Sequence, residues 1–303
     1  MSGGSGVAMD APRPYHVGRT IVAMGTTITV AVGGRRPEDE CVPAIEEALG
    51  WFRAVEARCT RFDPSSELQQ LCSQVGTWVT VSPLLMHALR FAVDVAERTD
   101  GAFDPCLGQA LHRSGYDRHH VTGATAPVAN GSGTWRDVAC DATASRVLLR
   151  RPLQLDLGAV AKGMAIDLAT RVLSPLIDYA IDAGGDVFAT GRNARGTGWR
   201  VGIRDPFAPA TLATTLSLNG RAVCTTATYE RGAHLLDGRT QDAATGLASV
   251  SVMAPTAMAA DAASTAAFAL GRTAGLAFLE AEGLAAFLIA RDGTRTIVGP
   301  WPR

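Results

Sequence analysis

Short β-branched stretches, joined by brief turns, recur along this chain and leave room for only a few longer helical segments. That alternation constrains the fold more than any other feature. Strands are expected at Thr20–Val32 (with a turn-like Met24-Gly25-Thr26 inside it), Val138–Ala139, Arg146–Leu149 and Leu153–Leu157. More follow at Tyr179–Asp182, Val187–Thr190 and Trp199–Arg204, with hairpin-like segments to about Val223, and at Leu247–Met253. Strands that follow one another through short turns pair antiparallel, so the pattern predicts an α+β fold with antiparallel sheets and flanking helices rather than a doubly wound one.

Helices are read from apolar spacing. Glu38–Arg58 places Val42, Ile45, Leu49, Phe52 and Val55 on one stripe. Ser82–Arg98 repeats the pattern behind an N-cap serine and the first-turn Pro83. Ala-rich helices are expected from about Ala159 to Leu173 and from about Met258 to Leu270, the second ending at Gly271. The tail adds a helix and a strand pair around the turn signal Asp292-Gly293. Val121–Gly133, dense in Gly, Ala, Ser and Asn, reads as loop. Residues 1–18 read as a flexible leader, and 19–303 as one compact domain.

Charge excludes some partners. The formal net charge is -1 with 19% charged residues, and no basic stripe interleaved with aromatics offers an electrostatic footprint for nucleic acid. No run of 18 consecutive apolar residues occurs, so no membrane span is expected. The first twenty residues lack the charged start and apolar run of a signal peptide, which makes a cytoplasmic location the expectation. Six cysteines form no C-x-x-C pair and sit in apolar stretches, the pattern of reduced core thiols.

Of 28 basic residues, 27 are arginine and one, Lys162, is lysine. In a chain that uses arginine almost everywhere, a lone lysine marks a position suited to a compact ammonium point charge. It lies in Leu155-Asp-Leu-Gly-Ala-Val-Ala-Lys-Gly-Met-Ala-Ile-Asp167, where a strand passes Gly158 and becomes a helix. Backbone N–H groups at that helix start, with Lys162 in reach, suit an anion. An exposed surface lysine is the alternative.

Three more constellations carry chemistry. Asp261 and Thr265 are four residues apart on a helix, so a carboxylate and a hydroxyl share a face. Two hard oxygens suit Mg2+, although an Asp near a helix start and a packed Thr need no metal. Asp182-Ala-Gly-Gly-Asp186 permits close backbone approach at Gly184 and Gly185, for a ligand or merely for a tight turn. Thr228–Asp237 places His234 among carboxylates in sequence, a candidate proton acceptor. Neither a P-loop nor a dinucleotide-binding glycine fingerprint is present.

Taken in order, these segments resemble the FAD:protein FMN transferase (ApbE-like) family. Met24-Gly-Thr is similar to its opening turn, and Phe62-Asp-Pro-Ser-Ser-Glu-Leu68 to its aromatic-x-x-x-Ser-Glu-Leu segment. Gly101-Ala-Phe-Asp-Pro105, Asp156–Asp167, Ala183-Gly-Gly-Asp186 and Asp261-Ala-Ala-Ser-Thr265 resemble its further motifs. The resemblance implies Mg2+ held by the Ala159 carbonyl, Asp261 and Thr265, with FAD as substrate beside Met24, Phe62, Asp104, Lys162, Gly184, Gly185 and Asp186. It also implies an acceptor protein whose Thr or Ser receives FMN while AMP leaves, with Lys162 offsetting charge and His234 taking the proton. Two segments depart from the family pattern. Asp-Pro-Arg-Thr-Gly appears as Asp237-Gly-Arg-Thr-Gln241, and Ser-Gly appears as Thr226-Ala227. They leave two further readings open: an FAD pyrophosphatase that releases FMN and AMP, and a flavin-binding protein without chemistry.

Overall fold

The computed structural model describes residues 16–34, 36–119, 121–127, 131–228 and 235–302. In chain order, β1 (Val17–Ala23), β2 (Thr26–Val32), α1 (Glu38–Cys59), α2 (Glu67–Cys72) and β3 (Trp78–Thr80) come first. They lead into α3 (Pro83–Arg98), α4 (Gly108–Arg113), β4 (Val138–Asp141), β5 (Arg146–Leu149) and α5 (Gly158–Leu173). β6 (Tyr179–Ala183), β7 (Asp186–Thr190), β8 (Trp199–Asp205), β9 (Ala208–Leu218), β10 (Arg221–Ala227) and β11 (Leu247–Ala254) follow. The chain then forms α6 (Ala257–Ala281), β12 (Ala285–Ala290) and β13 (Arg295–Val298).

The main sheet has eight strands in the order β1-β2-β6-β7-β10-β11-β12-β13, every neighbouring pair antiparallel. The α+β expectation therefore holds. The single strand expected at 20–32 is two strands of a hairpin. Met24 and Gly25 both take positive φ (52° and 72°), closing a two-residue loop whose twist suits the strands it joins. The first strand begins at Val17, inside the stretch read as a leader. Leu153–Leu157 is not a strand; within it only Gln154 makes a bridge, with Leu107. The described parts of 121–133 hold no helix or strand.

Side chains alternate across the main sheet, as its two-residue period requires. Ile28, Val30, Val32, Ile181 and Cys224 enter the core beneath the helices, with Ile45, Leu49, Phe52 and Val55 of α1. Ala31, Val187, Val223 and Phe287 face the other way. The β8–β9 hairpin covers them with Trp199, Val201, Ile203, Leu216 and Leu218. Each large apolar side chain so buried contributes about 1.5–3 kcal/mol. Helix α3 starts as the sequence indicates, with the Ser82 hydroxyl accepting from Leu85 N at 3.3 Å.

The crossing of α5 and α6 positions the site. A Cβ at Gly163 would lie 2.5 Å from Met258 Cα and 2.6 Å from Ala257 O, so only glycine permits this approach. Asp167 of α5 then caps α6, accepting from Ala257 N at 2.7 Å and Met258 N at 3.0 Å. By length and composition α6 could cross a bilayer (mean hydropathy 1.2), yet half of its most apolar window is buried inside the protein. The helix expected to end at Gly271 does break there (φ 76°, ψ -178°) before continuing to Ala281. Among the described residues all six cysteines are free, five of them buried. Burial pushes the Cys59 thiol up to about 12 and Cys72 up to about 11, as expected of inert core thiols.

Candidate active site

A cleft of about 1010 Å3 opens where the β1–β2 turn, the β6–β7 turn and the starts of α5 and α6 converge. Its two ends differ in chemistry.

One end is ionic. Lys162, the fifth residue of α5 and so just past its first turn, forms an ion pair with Asp186 at the start of β7. Its Nζ also lies 3.2 Å from Asp261 Oδ2 on α6. Both carboxylates are buried, at 3% and 6% exposure, while one ammonium serves both. Asp186 Oδ1 accepts from Thr225 N at 3.1 Å, and Gly163 N donates to Asp261 Oδ2 at 3.3 Å, which fixes both side chains. Hydroxyls complete this end: Thr226 Oγ1 lies 2.7 Å from Ser264 Oγ and 3.1 Å from Thr265 Oγ1.

The β6–β7 turn separates Asp186 from Asp182, which faces the opposite side of the sheet because the side-chain period is two. Gly184 turns here with φ 67°, and a Cβ on it would sit 2.2 Å from Thr26 Oγ1. The close approach foreseen for this glycine pair is therefore made against the β1–β2 turn. Asp182 accepts from Gly185 N at 2.9 Å. Burial raises its pKa to about 6, with Arg204 and Lys162 opposing the rise.

The other end is aromatic. Arg61, 2% exposed, holds its guanidinium carbon 4.4 Å from the Phe62 ring centroid and 5.1 Å from that of Tyr116. His119 meets Phe62 edge-on at 5.3 Å. Glu56 Oε1 accepts from Met24 N at 2.7 Å, tying the hairpin turn to α1. Arg61 Nε lies 2.6 Å from Asp156 Oδ2, and Asp156 Oδ1 accepts from Gly158 N at 2.8 Å. The ion pair thus anchors the start of the helix that carries Lys162.

Met24, Phe62, Asp104, Ala159, Lys162, Gly184, Asp186, Asp261 and Thr265 all line this cleft, and Gly185 lies in the turn beside it. Asp104 is occupied locally. It accepts from Cys106 N at 2.8 Å and Trp135 N at 3.2 Å, and burial raises its pKa. His234 lies outside the described residues. Arg61, Glu56 and His119 also line the cleft, unpredicted by sequence. Twenty-seven arginines gave no reason to single out one, and only its place beside Phe62 hinted at Arg61.

The segment that departs from the family pattern is placed in part. Gly238 N donates to Ala102 O at 2.9 Å, and a Cβ there would meet Gly101 O at 2.3 Å. Gln241 takes the positive φ (62°) that glycine adopts freely.

The fold and site together define the class: an antiparallel sheet roofed by helices, with a cleft that is ionic at one end and aromatic at the other. Comparison with known proteins gives the family: residues 24–288 match ApbE, and the chain belongs to it. It is 33% identical, over 95% of its length and 88% of the relative's, to a Treponema pallidum protein named FAD:protein FMN transferase. Among solved structures it resembles the ApbE protein of Thermotoga maritima (TM-score 0.80, 26% identity, 93% of this chain and 96% of that one). The apo form of the Pseudomonas stutzeri flavinyl transferase ApbE is similar too (TM-score 0.78, 26% identity, 93% and 94% covered).

Proposed function

We propose that this protein is an FAD:protein FMN transferase. A threonine or serine hydroxyl of an acceptor protein attacks the FMN-side phosphorus of FAD. A new P–O bond forms, the pyrophosphate bond breaks, and AMP leaves with the bridging oxygen. The observation that carries this reading is the single lysine set against two buried carboxylates in a cleft with an aromatic far end, within a chain of this family.

Phosphoryl transfer depends on alignment and on offsetting negative charge. Lys162 supplies a fixed ammonium, held by Asp186 and Asp261 so that it need not reorganise when the dinucleotide enters. The residues present also fit Mg2+. Asp261, Thr265 and the Ala159 carbonyl offer hard oxygens of the kind Mg2+ prefers, and all three residues line the cleft. Among the described residues no three His, Cys, Asp or Glu side chains gather as a metal cage. That suits an ion bound partly by substrate phosphate. When bound, Mg2+ would draw charge from the pyrophosphate and the departing AMP. His234 is the proposed acceptor of the hydroxyl proton.

Incubation with FAD, Mg2+ and a peptide carrying Asp-Gly-x-Thr-Gly-Ala-Thr tests the proposal. A covalent fluorescent adduct with equimolar AMP is expected. Free FMN and AMP without adduct would replace transfer by hydrolysis, and FAD binding without turnover would reduce the protein to a flavin carrier.

A further inference from the structure

We infer that Arg61 is a specificity residue that recognises the carbonyl edge of the flavin ring. This rests on the proposal that the cleft takes FAD. Three observations combine. Arg61 lines the cleft, yet its side chain is almost wholly buried, at 2% exposure. Its Nε faces Asp156 and its Nη2 donates to Tyr116 O, but Nη1, equally buried, has no hydrogen-bond partner among the described residues. Its guanidinium carbon sits between two mutually perpendicular rings, 4.4 Å from the Phe62 centroid and 5.1 Å from that of Tyr116, which confine the side chain at the aromatic end.

A buried guanidinium N–H without an acceptor is costly, and because Arg61 lines the cleft a ligand there can supply the missing acceptor. The acceptor must come from whatever ring occupies the aromatic end. FAD offers two ring systems. Adenine carries ring nitrogens and an amino group but no carbonyl, whereas the pyrimidine part of isoalloxazine presents C2=O and C4=O. A guanidinium N–H is best matched by a carbonyl oxygen of partial negative charge. The aromatic end therefore takes the isoalloxazine, and the pyrophosphate runs toward Lys162. Arg61 thus acts at two places. Through Asp156 it anchors the start of α5, and through Nη1 it meets the ring.

A comparison of two ligands separates ring recognition from a purely structural role. Binding of FAD and of ADP, which shares the diphosphate and adenosine but lacks the flavin, is measured by calorimetry for wild type and Arg61→Gln. Ring recognition predicts that Arg61→Gln weakens FAD binding roughly tenfold more than it weakens ADP binding. An equal loss for both ligands would overturn the inference, because it would mean that Arg61 acts only by holding α5 or that adenine fills the aromatic end. Removing Arg61 leaves Asp156 without its partner, so the variant can fail to fold; 2-thio-FAD and 4-thio-FAD then probe the wild type directly. Sulfur accepts hydrogen bonds poorly, so one of the two is expected to bind several-fold more weakly than FAD. Equal affinity for all three flavins would end the inference. If wild type bound no FAD at all, the functional proposal itself would fall instead.

Discussion

Asp186 of β7 and Asp261 of α6 approach the same ammonium, that of Lys162, one from a strand and the other from a helix. Both carboxylates are almost fully buried, so the lysine is at once a site residue and a structural counter-ion. Its replacement therefore has two separable effects. Lys162→Met is expected to lower stability by about 3–5 kcal/mol, since it takes the ammonium away from two buried carboxylates. Lys162→Arg retains the charge but cannot fit its fork into a point-charge site. It should stay folded while flavin transfer falls roughly tenfold or more. Urea denaturation and adduct formation, measured on both variants, separate the effects; wild-type rates in Lys162→Arg would reduce the lone lysine to a compositional accident.

Asp182 sets a pH dependence of stability. Its pKa in the fold, about 6, lies above the usual 3.8 because burial penalises the charge. The folded state thus binds its proton more tightly than the unfolded chain between about pH 4 and 6. This group's contribution is fully present below that window and is lost as pH rises through it, on the order of 2–3 kcal/mol at most. Asp182→Asn retains an acceptor for Gly185 N without the charge. It should be more stable than wild type at pH 8 and no more stable at pH 4. Identical pH profiles of the urea midpoint would contradict this.

Gly163 is where α5 and α6 touch, with no space for a methyl group. Gly163→Ala is expected to cost about 1–3 kcal/mol through overpacking. It should also depress activity, because the residue beside Lys162 must shift away from Asp261. A midpoint within error of wild type would show that the crossing can relax freely.

Gln241 carries a left-handed conformation that costs a non-glycine residue roughly 1 kcal/mol. Against this, its Oε1 accepts from exposed Arg113 at 2.7 Å, a surface contact of small value. Gln241→Gly should raise the melting temperature by a few degrees at most. A lower melting temperature would mean that the Arg113 contact outweighs the strain.

Local regularities were legible in the chain itself. Apolar spacing located α1, α3 and α5, the Ser82-Pro83 start placed α3, and glycines marked the turn at Met24-Gly25 and the break at Gly271. These follow from helix and strand periods and from backbone sterics, which act over a few residues. The i, i+4 pairing of Asp261 with Thr265 and the singularity of Lys162 belong to the same class of information. The mistaken strand at 153–157 shows the limit: Leu153, Leu155 and Leu157 alternate, yet they are buried as a loop against the helical core, with Gln154 bridged to Leu107.

What the tertiary structure alone decided is convergence. Lys162 and Asp261 are 99 residues apart in sequence and meet only because Gly163 lets two helices cross closely. Asp186 joins them because β7 lies beside β10 in the sheet, a neighbour order that no local pattern encodes. Arg61 finds Asp156 in the same way. Chain periodicity fixes which face a side chain occupies; which distant face it confronts is set by burial summed over the whole core, and there the cleft acquires its charge.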